Sequence, residues 1–222
     1  MNEINITVEK YPDDPDLLIP AGIAVRCGGD YDISCYEDTA DIVCDYAERY
    51  GNDLFGNEAA EYLRSRLDPI FAERGYALQL EVDLVYHLDR KLDECTDVTV
   101  INARDALELD NLCGIDLDEA VGIGQEAFVC VEDGCVVSVA VENYTHKGET
   151  EIAVETAPDH RRRGYARAAA TVLCNDIVAS GGRVTWHCSE DNAPSVALAE
   201  SIGFKLDGRE MYYCYFKLDD RT

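Results

Sequence analysis

Lysine is scarce in this 222-residue chain: Lys10, Lys91, Lys147, Lys205 and Lys217 are all there are, and Lys plus Arg reach only 19 against 45 Asp plus Glu. The resulting net charge of −26 argues against general nucleic-acid or anionic-membrane binding, because both need a cationic surface for phosphates. Long apolar runs are missing too. No stretch approaches the roughly 18 residues of a membrane span, and Met1-Asn2-Glu3-Ile4-Asn5 has neither the basic start nor the apolar core of a secretory signal. A cytoplasmic protein is expected. Ten cysteines are present, yet no Cys-x-x-Cys pair occurs, and the closest spacing, Cys130 to Cys135, straddles Asp133-Gly134. A zinc ribbon or small disulfide scaffold is therefore not indicated, and reduced core thiols are the expectation. No metal site is expected.

What is present is enough apolar matter for a core: 47% of residues are hydrophobic, which argues against disorder despite the charge. Acidity of this kind suits either a high-salt cytoplasm or an ordinary solvated surface. It identifies no activity.

The pattern divides the chain into two α/β regions. In residues 1–95, Leu17 to Cys27 reads as a strand broken by Gly28-Gly29-Asp30. Ile42, Tyr46 and Tyr50 line one face of a helix over 38–50, and a second helix spans 57–67. Asp68-Pro69 opens a third, short one that closes at Gly75. Leu78, Leu80, Val82, Leu84 and Tyr86 alternate with mostly polar residues, as in a strand with one buried face. The charged segment 88–97 is the expected junction. Residues 97–220 then predict strand 98–101, helix 105–112, a hairpin of 126–132 with 135–141 about Asp133-Gly134, and strand 150–156. Helix 164–180, strand 183–187, helix 193–202 and a closing strand pair around Phe204 and 211–218 complete the pattern.

Positive charge is concentrated at one place. Arg161, Arg162, Arg163 and Arg167 occupy four of seven positions after Ala157-Pro158-Asp159, at a strand-to-helix joint containing Gly164. A glycine lets the backbone approach a ligand, and the unpaired N–H groups of a first helical turn attract anions. A pyrophosphate fits this pattern, although an arginine run by itself reads equally as a solvated face.

Arg161-Arg162-Arg163-Gly164-Tyr165-Ala166 resembles the Gln/Arg-x-x-Gly-x-Gly/Ala pyrophosphate signature of the GNAT-type N-acetyltransferases. Asn192-Ala193-Pro194-Ser195 followed by Leu198 to Phe204 is similar to the Asn-x-x-Ala/Ser…Gly-Phe segment on that family's last core helix. The resemblance covers about residues 97 to 218. It implies an α/β (α+β mixed-sheet) GNAT fold at 97–220, preceded by a small α/β region at 1–95 of unknown role. It further implies acetyl-CoA held in a wedge between splayed strands. Val154, Glu155 and Thr156 would pair with the pantetheine arm, while Arg161, Arg162, Arg163, Gly164, Tyr165, Ala166 and Arg167 would cradle the pyrophosphate. Asn192 and Ser195 would meet the pantetheine end.

The family's chemistry is direct attack of an amine on the thioester, which calls for a base and an acid. Glu151 and Glu142 lead as base candidates, ahead of Glu149, Glu155, His187 and His146, the last placed in a loop 143–148. Many members carry their acid, a tyrosine, where this chain has Ala199. Tyr165, Tyr212, Tyr213 and Tyr215 are substitutes only by being phenols near the expected cleft. Trp186-His187-Cys188 supplies too few ligands for zinc, and Trp186 reads as a cleft wall or as core. The expected function is acetyl-CoA-dependent transfer to a primary amine of a small molecule or peptide; the alternative is a non-catalytic acyl-CoA-binding or regulatory module, which Ala199 favours. The layout is also similar to a GNAT subgroup that includes antibiotic self-resistance acetyltransferases. An acidic mouth would favour a cationic amine, and a homodimer is a further expectation.

Overall fold

The computed structural model describes residues 3–11, 17–26, 29–93, 97–146 and 148–218; Met1, Asn2, Cys27, Gly28 and Lys147, named above, lie outside these. In chain order the elements are β1 (Ile4–Glu9), β2 (Leu17–Leu18), β3 (Ala21–Arg26), β4 (Tyr31–Tyr36), α1 (Ala40–Tyr50), α2 (Asn57–Ala72) and β5 (Tyr76–Leu88). Then come β6 (Val100–Asn102), β7 (Asp110–Asn111), α3 (Leu117–Gly122), β8 (Ala127–Glu132), β9 (Cys135–His146) and β10 (Glu149–Thr156). The last are α4 (Tyr165–Ala179), β11 (Arg183–Ser189), α5 (Ala193–Ile202) and β12 (Lys205–Lys217). The described helices include none long and apolar enough to cross a membrane.

The chain forms two compact units, Met1–Leu84 with Asp207–Thr222, and Val85–Leu206. The division falls within β5, where the sequence reading put the junction in the charged segment 88–97, and the tail of the chain belongs with the first unit.

In the first unit the strands run β1-β4-β3-β12-β5, with β1 parallel to β4 and β3 antiparallel to β4 and β12. Helices α1 and α2 cover its core, which includes Ile23, Ile33, Val43, Tyr46, Leu63, Phe71, Tyr213 and Tyr215. α2 runs straight through Pro69, where two helices were expected. Ala59, Leu63, Leu67 and Phe71 explain this: spaced four apart and at most 1% exposed, they form one continuous apolar stripe whose burial outweighs the backbone bond that proline removes. Likewise, the closing strand pair expected around Phe204 and 211–218 is a single 13-residue strand, with Gly208 paired to Arg26.

In the second unit the order is β11-β10-β9-β8-β6. The β8–β9 hairpin turns at Asp133 and Gly134, with φ of 51° and 80°, the left-handed pair that a tight hairpin requires. One face carries α3 and a core of Ala103, Val129, Val139 and Val141, with Ala153 packed against it. On the opposite face lie Cys130, whose Sγ donates to the Tyr165 carbonyl at the start of α4, and Trp186, which bonds α5. The helix expected at 105–112 is instead a short 3-10 turn at Ala103–Asp105 followed by β7. α3 lies further on, begun by Asp116, whose Oδ1 accepts the Glu119 N–H at 2.9 Å.

Candidate active site

Strand β10 pairs in parallel with β11 only through Glu149–Arg183, Thr150–Val184 and Glu151–Thr185. Beyond Glu151 and Thr185 no further pair follows, so the two strands part. An Arg183–Glu149 ion pair of 2.9 Å spans the closed end. On its other side β10 stays zipped to β9 down to Thr156–Ser138, with one register step between Glu151 and Ile152.

Alternation along β10 decides which main-chain groups face the gap. Ala157 donates its N–H to the Val137 carbonyl at 2.9 Å, so Glu155 and Ala153 also turn their peptide groups toward β9. Those of Ile152, Val154 and Thr156 turn toward β11. The peptide groups of Val154 and Thr156 therefore face the gap. Glu155 does not: its carbonyl accepts from Ser138 Oγ (2.9 Å), and its carboxylate accepts the N–H groups of Gly114 (2.9 Å) and Ile115 (3.1 Å). It pins the loop before α3. The Thr156 carbonyl, at the end of the gap, accepts from Arg161 Nε at 3.1 Å.

From Thr156 the chain passes through a 3-10 turn, Pro158–His160, to the start of α4. Arg162 (φ 60°) and Gly164 (φ 89°) both adopt left-handed backbone there. Gly164 is the N-cap, no side chain caps the helix, and a Cβ built on Gly164 would meet nothing within 4 Å. The first-turn N–H groups therefore carry no side-chain cap, and the helix dipole points its positive end there. Ala168, Ala169 and Ala170, fully buried, let α4 lie close to the sheet.

The arginines divide their work. Arg161 reaches back to β10, as described. Arg163 bonds Glu132 (2.9 Å) and the Asp159 carbonyl (3.3 Å), and His160 Nε2 lies 3.2 Å from the same carboxylate. Arg162 and Arg167 are exposed and have no partner among the described residues. Tyr165 and Ala166 begin the helix, half-buried, and hydrogen bonding to Glu132 raises the Tyr165 phenol above its ordinary value.

Asn192 and Ser195 are both occupied. Asn192 caps α5, its Oδ1 accepting the Ser195 N–H at 3.2 Å, and Ser195 Oγ accepts from Trp186 Nε1 at 3.0 Å. Trp186, 4% exposed, stacks edge-on against Phe204 and is core. Ala199 is fully buried, so α5 offers no acid at that position. Tyr212, Tyr213 and Tyr215 lie in the first unit, where Tyr212 donates to Glu210 and Tyr215 to Asp68, each at 2.6 Å.

The two leading carboxylates point to opposite faces. Glu151 shares a face with Ala153 and, in register, with Thr185 and Tyr144; Asn143 Nδ2 donates to it at 3.2 Å. Glu142 follows Val141, which belongs to the α3-side core, and stands opposite Ile152 on the other face. Its carboxylate accepts the Glu126 N–H at 3.3 Å. His146 ends strand β9 rather than lying in a loop. Sequence reasoning missed Asn143, and only the register step, which the sequence does not display, marks it.

Residues 119–215 match the family model for GNAT acetyltransferases. Among solved structures, a GNAT-family protein from Novosphingobium aromaticivorans superposes with a TM-score of 0.53 at 18% identity, over 65% of this chain and 69% of that one. A GCN5-related N-acetyltransferase-like protein from Streptococcus suis gives a TM-score of 0.48 at 22% identity, over 67% of each chain. No curated protein matches the sequence. The parted strands, the open helix start and the family match fall on the same segment, so residues 119–215 are similar to the GNAT acetyltransferases in sequence and the chain is similar to them in fold.

Proposed function

We propose that the protein transfers an acetyl group from acetyl-CoA to a primary amine of a small cationic molecule or peptide. The observation that carries this reading is the gap that opens between β10 and β11 at Glu151/Thr185 and leads along β10 to the open N-terminus of α4. Acetyl-CoA, when bound, supplies an acetyl thioester. The residues present suit it: the main-chain groups of Ile152, Val154 and Thr156 for an extended amide-bearing arm, and the N–H groups at Arg163 to Arg167 with the Arg162 and Arg167 side chains for a pyrophosphate.

Glu151 is the base in this reading. It stands at the apex of the gap, half-buried, on a face that Glu142 does not share. Its carboxylate takes the proton that the amine loses as the N–C bond forms and the C–S bond breaks; the thiolate takes up a proton from solvent, since no phenol of the second unit is placed to supply it on α5. Tyr144, 62% exposed and opposite Glu151 in register, offers an aromatic face to a cation or its carbon skeleton. The net charge of −26 adds long-range attraction for a cationic acceptor.

Thiol release from acetyl-CoA over spermidine, a deoxystreptamine aminoglycoside and Nα-acetyl-lysine amide tests the proposal. Turnover of at least one is expected. Acetyl-CoA binding without turnover of any would favour the second reading, a non-catalytic acyl-CoA-binding module, for which buried Ala199 speaks.

A further inference from the structure

We infer that Asn143 is a positioning residue for the base Glu151, held in place by Gln125; this rests on the reading of Glu151 given above. The register between β9 and β10 runs Tyr144–Glu151 and then Glu142–Ile152, so β9 carries one residue more than its partner and Asn143 has none opposite. Such a bulge forfeits ladder bonding and re-aims a side chain, and bulges gather beside active sites for that reason. Here both consequences are visible. The side-chain amide of Asn143 donates to Glu151 Oε1 at 3.2 Å, and the Asn143 carbonyl accepts from Gln125 Nε2 at 3.2 Å. Gln125 is itself fixed by its N–H, which donates to the Ala120 carbonyl of α3 at 3.0 Å.

The extra residue falls at the last β10 position still paired to β11, where the gap begins. A carboxylate there has several rotamers of comparable energy, and a base works only from the one that reaches the amine. The Asn143 donor selects one rotamer through a single oxygen and leaves the other for the substrate. Asn143 touches neither substrate nor acetyl-CoA in this account; it acts through Glu151.

A double-mutant cycle on the full-length protein tests this, using the fastest amine of the panel above. Glu151→Gln should lower kcat by about 100-fold or more, and Asn143→Ala by roughly 5- to 20-fold. In the Glu151→Gln background Asn143→Ala should change kcat by less than about twofold, because the residue it positions is already gone. Asn143→Asp keeps the shape but cannot donate and adds a like charge, so it should be at least as slow as Asn143→Ala. Calorimetric acetyl-CoA affinity and the thermal midpoint should stay close to wild type in all four, which separates positioning from loss of structure. If no amine is turned over, or Glu151→Gln is as fast as wild type, the reading of Glu151 fails and this inference with it. If Glu151→Gln is slow but Asn143→Ala is not, or Asn143→Ala slows both backgrounds equally, the role of Asn143 alone is overturned.

Discussion

Four arginines within seven positions form one patch in the sequence and three different objects in the structure. Arg161 closes the end of β10, Arg163 is paired with Glu132, and Arg162 and Arg167 have no partner among the described residues. Arg167→Ala should therefore weaken acetyl-CoA binding, by roughly 3- to 10-fold for one exposed charge, whereas Arg163→Ala should act chiefly on the loop; calorimetry of each variant beside its thermal midpoint distinguishes the two. The backbone of this turn was legible because a glycine at a strand-to-helix joint marks a left-handed position. Which guanidinium is spent on the fold was not, since Glu132 lies 31 residues away in the chain. The thiols make a second residue-scale prediction. Burial pushes Cys113 up to about 11 and Cys174 up to about 12, while Cys44 is exposed. At pH 8 iodoacetamide should label Cys44 well before either, as peptide mapping by mass spectrometry would record, because only the thiolate reacts.

At the scale of elements, strong local signals and long-range pairing divided the outcome. Helix 193–202 matches α5 residue for residue, since Asn192, Pro194 and Gly203 mark its ends by their own backbone chemistry. Removing the cap in Asn192→Ala should cost about 1 kcal/mol and lower the midpoint by about 2 to 4 °C in thermal unfolding. Pro69 misled for the converse reason: its local preference for a break was overridden by the buried apolar stripe of Ala59, Leu63, Leu67 and Phe71. Glu155 shows the same limit at the site. The family resemblance makes it part of the cofactor edge, yet strand alternation turns its peptide group toward β9 and its carboxylate closes the Gly114–Ile115 loop. Glu155→Ala leaves two N–H groups without their acceptor, and a loss of about 1 to 3 kcal/mol in urea unfolding is expected.

For the whole molecule, the buried thiols set a pH trend whose sign is fixed. Below pH of about 8.5 the thiols are neutral in folded and unfolded chains alike. Above it the unfolded chain releases protons that Cys174 and Cys214, both pushed up to about 12 by burial, retain in the fold. The unfolded state then binds fewer protons, so stability falls as pH rises from about 9 toward 12. Urea unfolding at pH 8 and 10.5 should register the drop. The excess of 26 negative charges, which at first excludes anionic partners as a class, leaves one exception. The start of α4 is cationic and uncapped, and the proposed function assigns it the phosphates of acetyl-CoA. A calorimetric titration of acetyl-CoA into wild type and Gly164→Asp tests this most directly. Micromolar binding is predicted for wild type, with loss of binding and a retained fold for the variant, whose carboxylate would occupy the open space before the helix. Absence of binding by wild type, or equal binding by Gly164→Asp, would contradict the account.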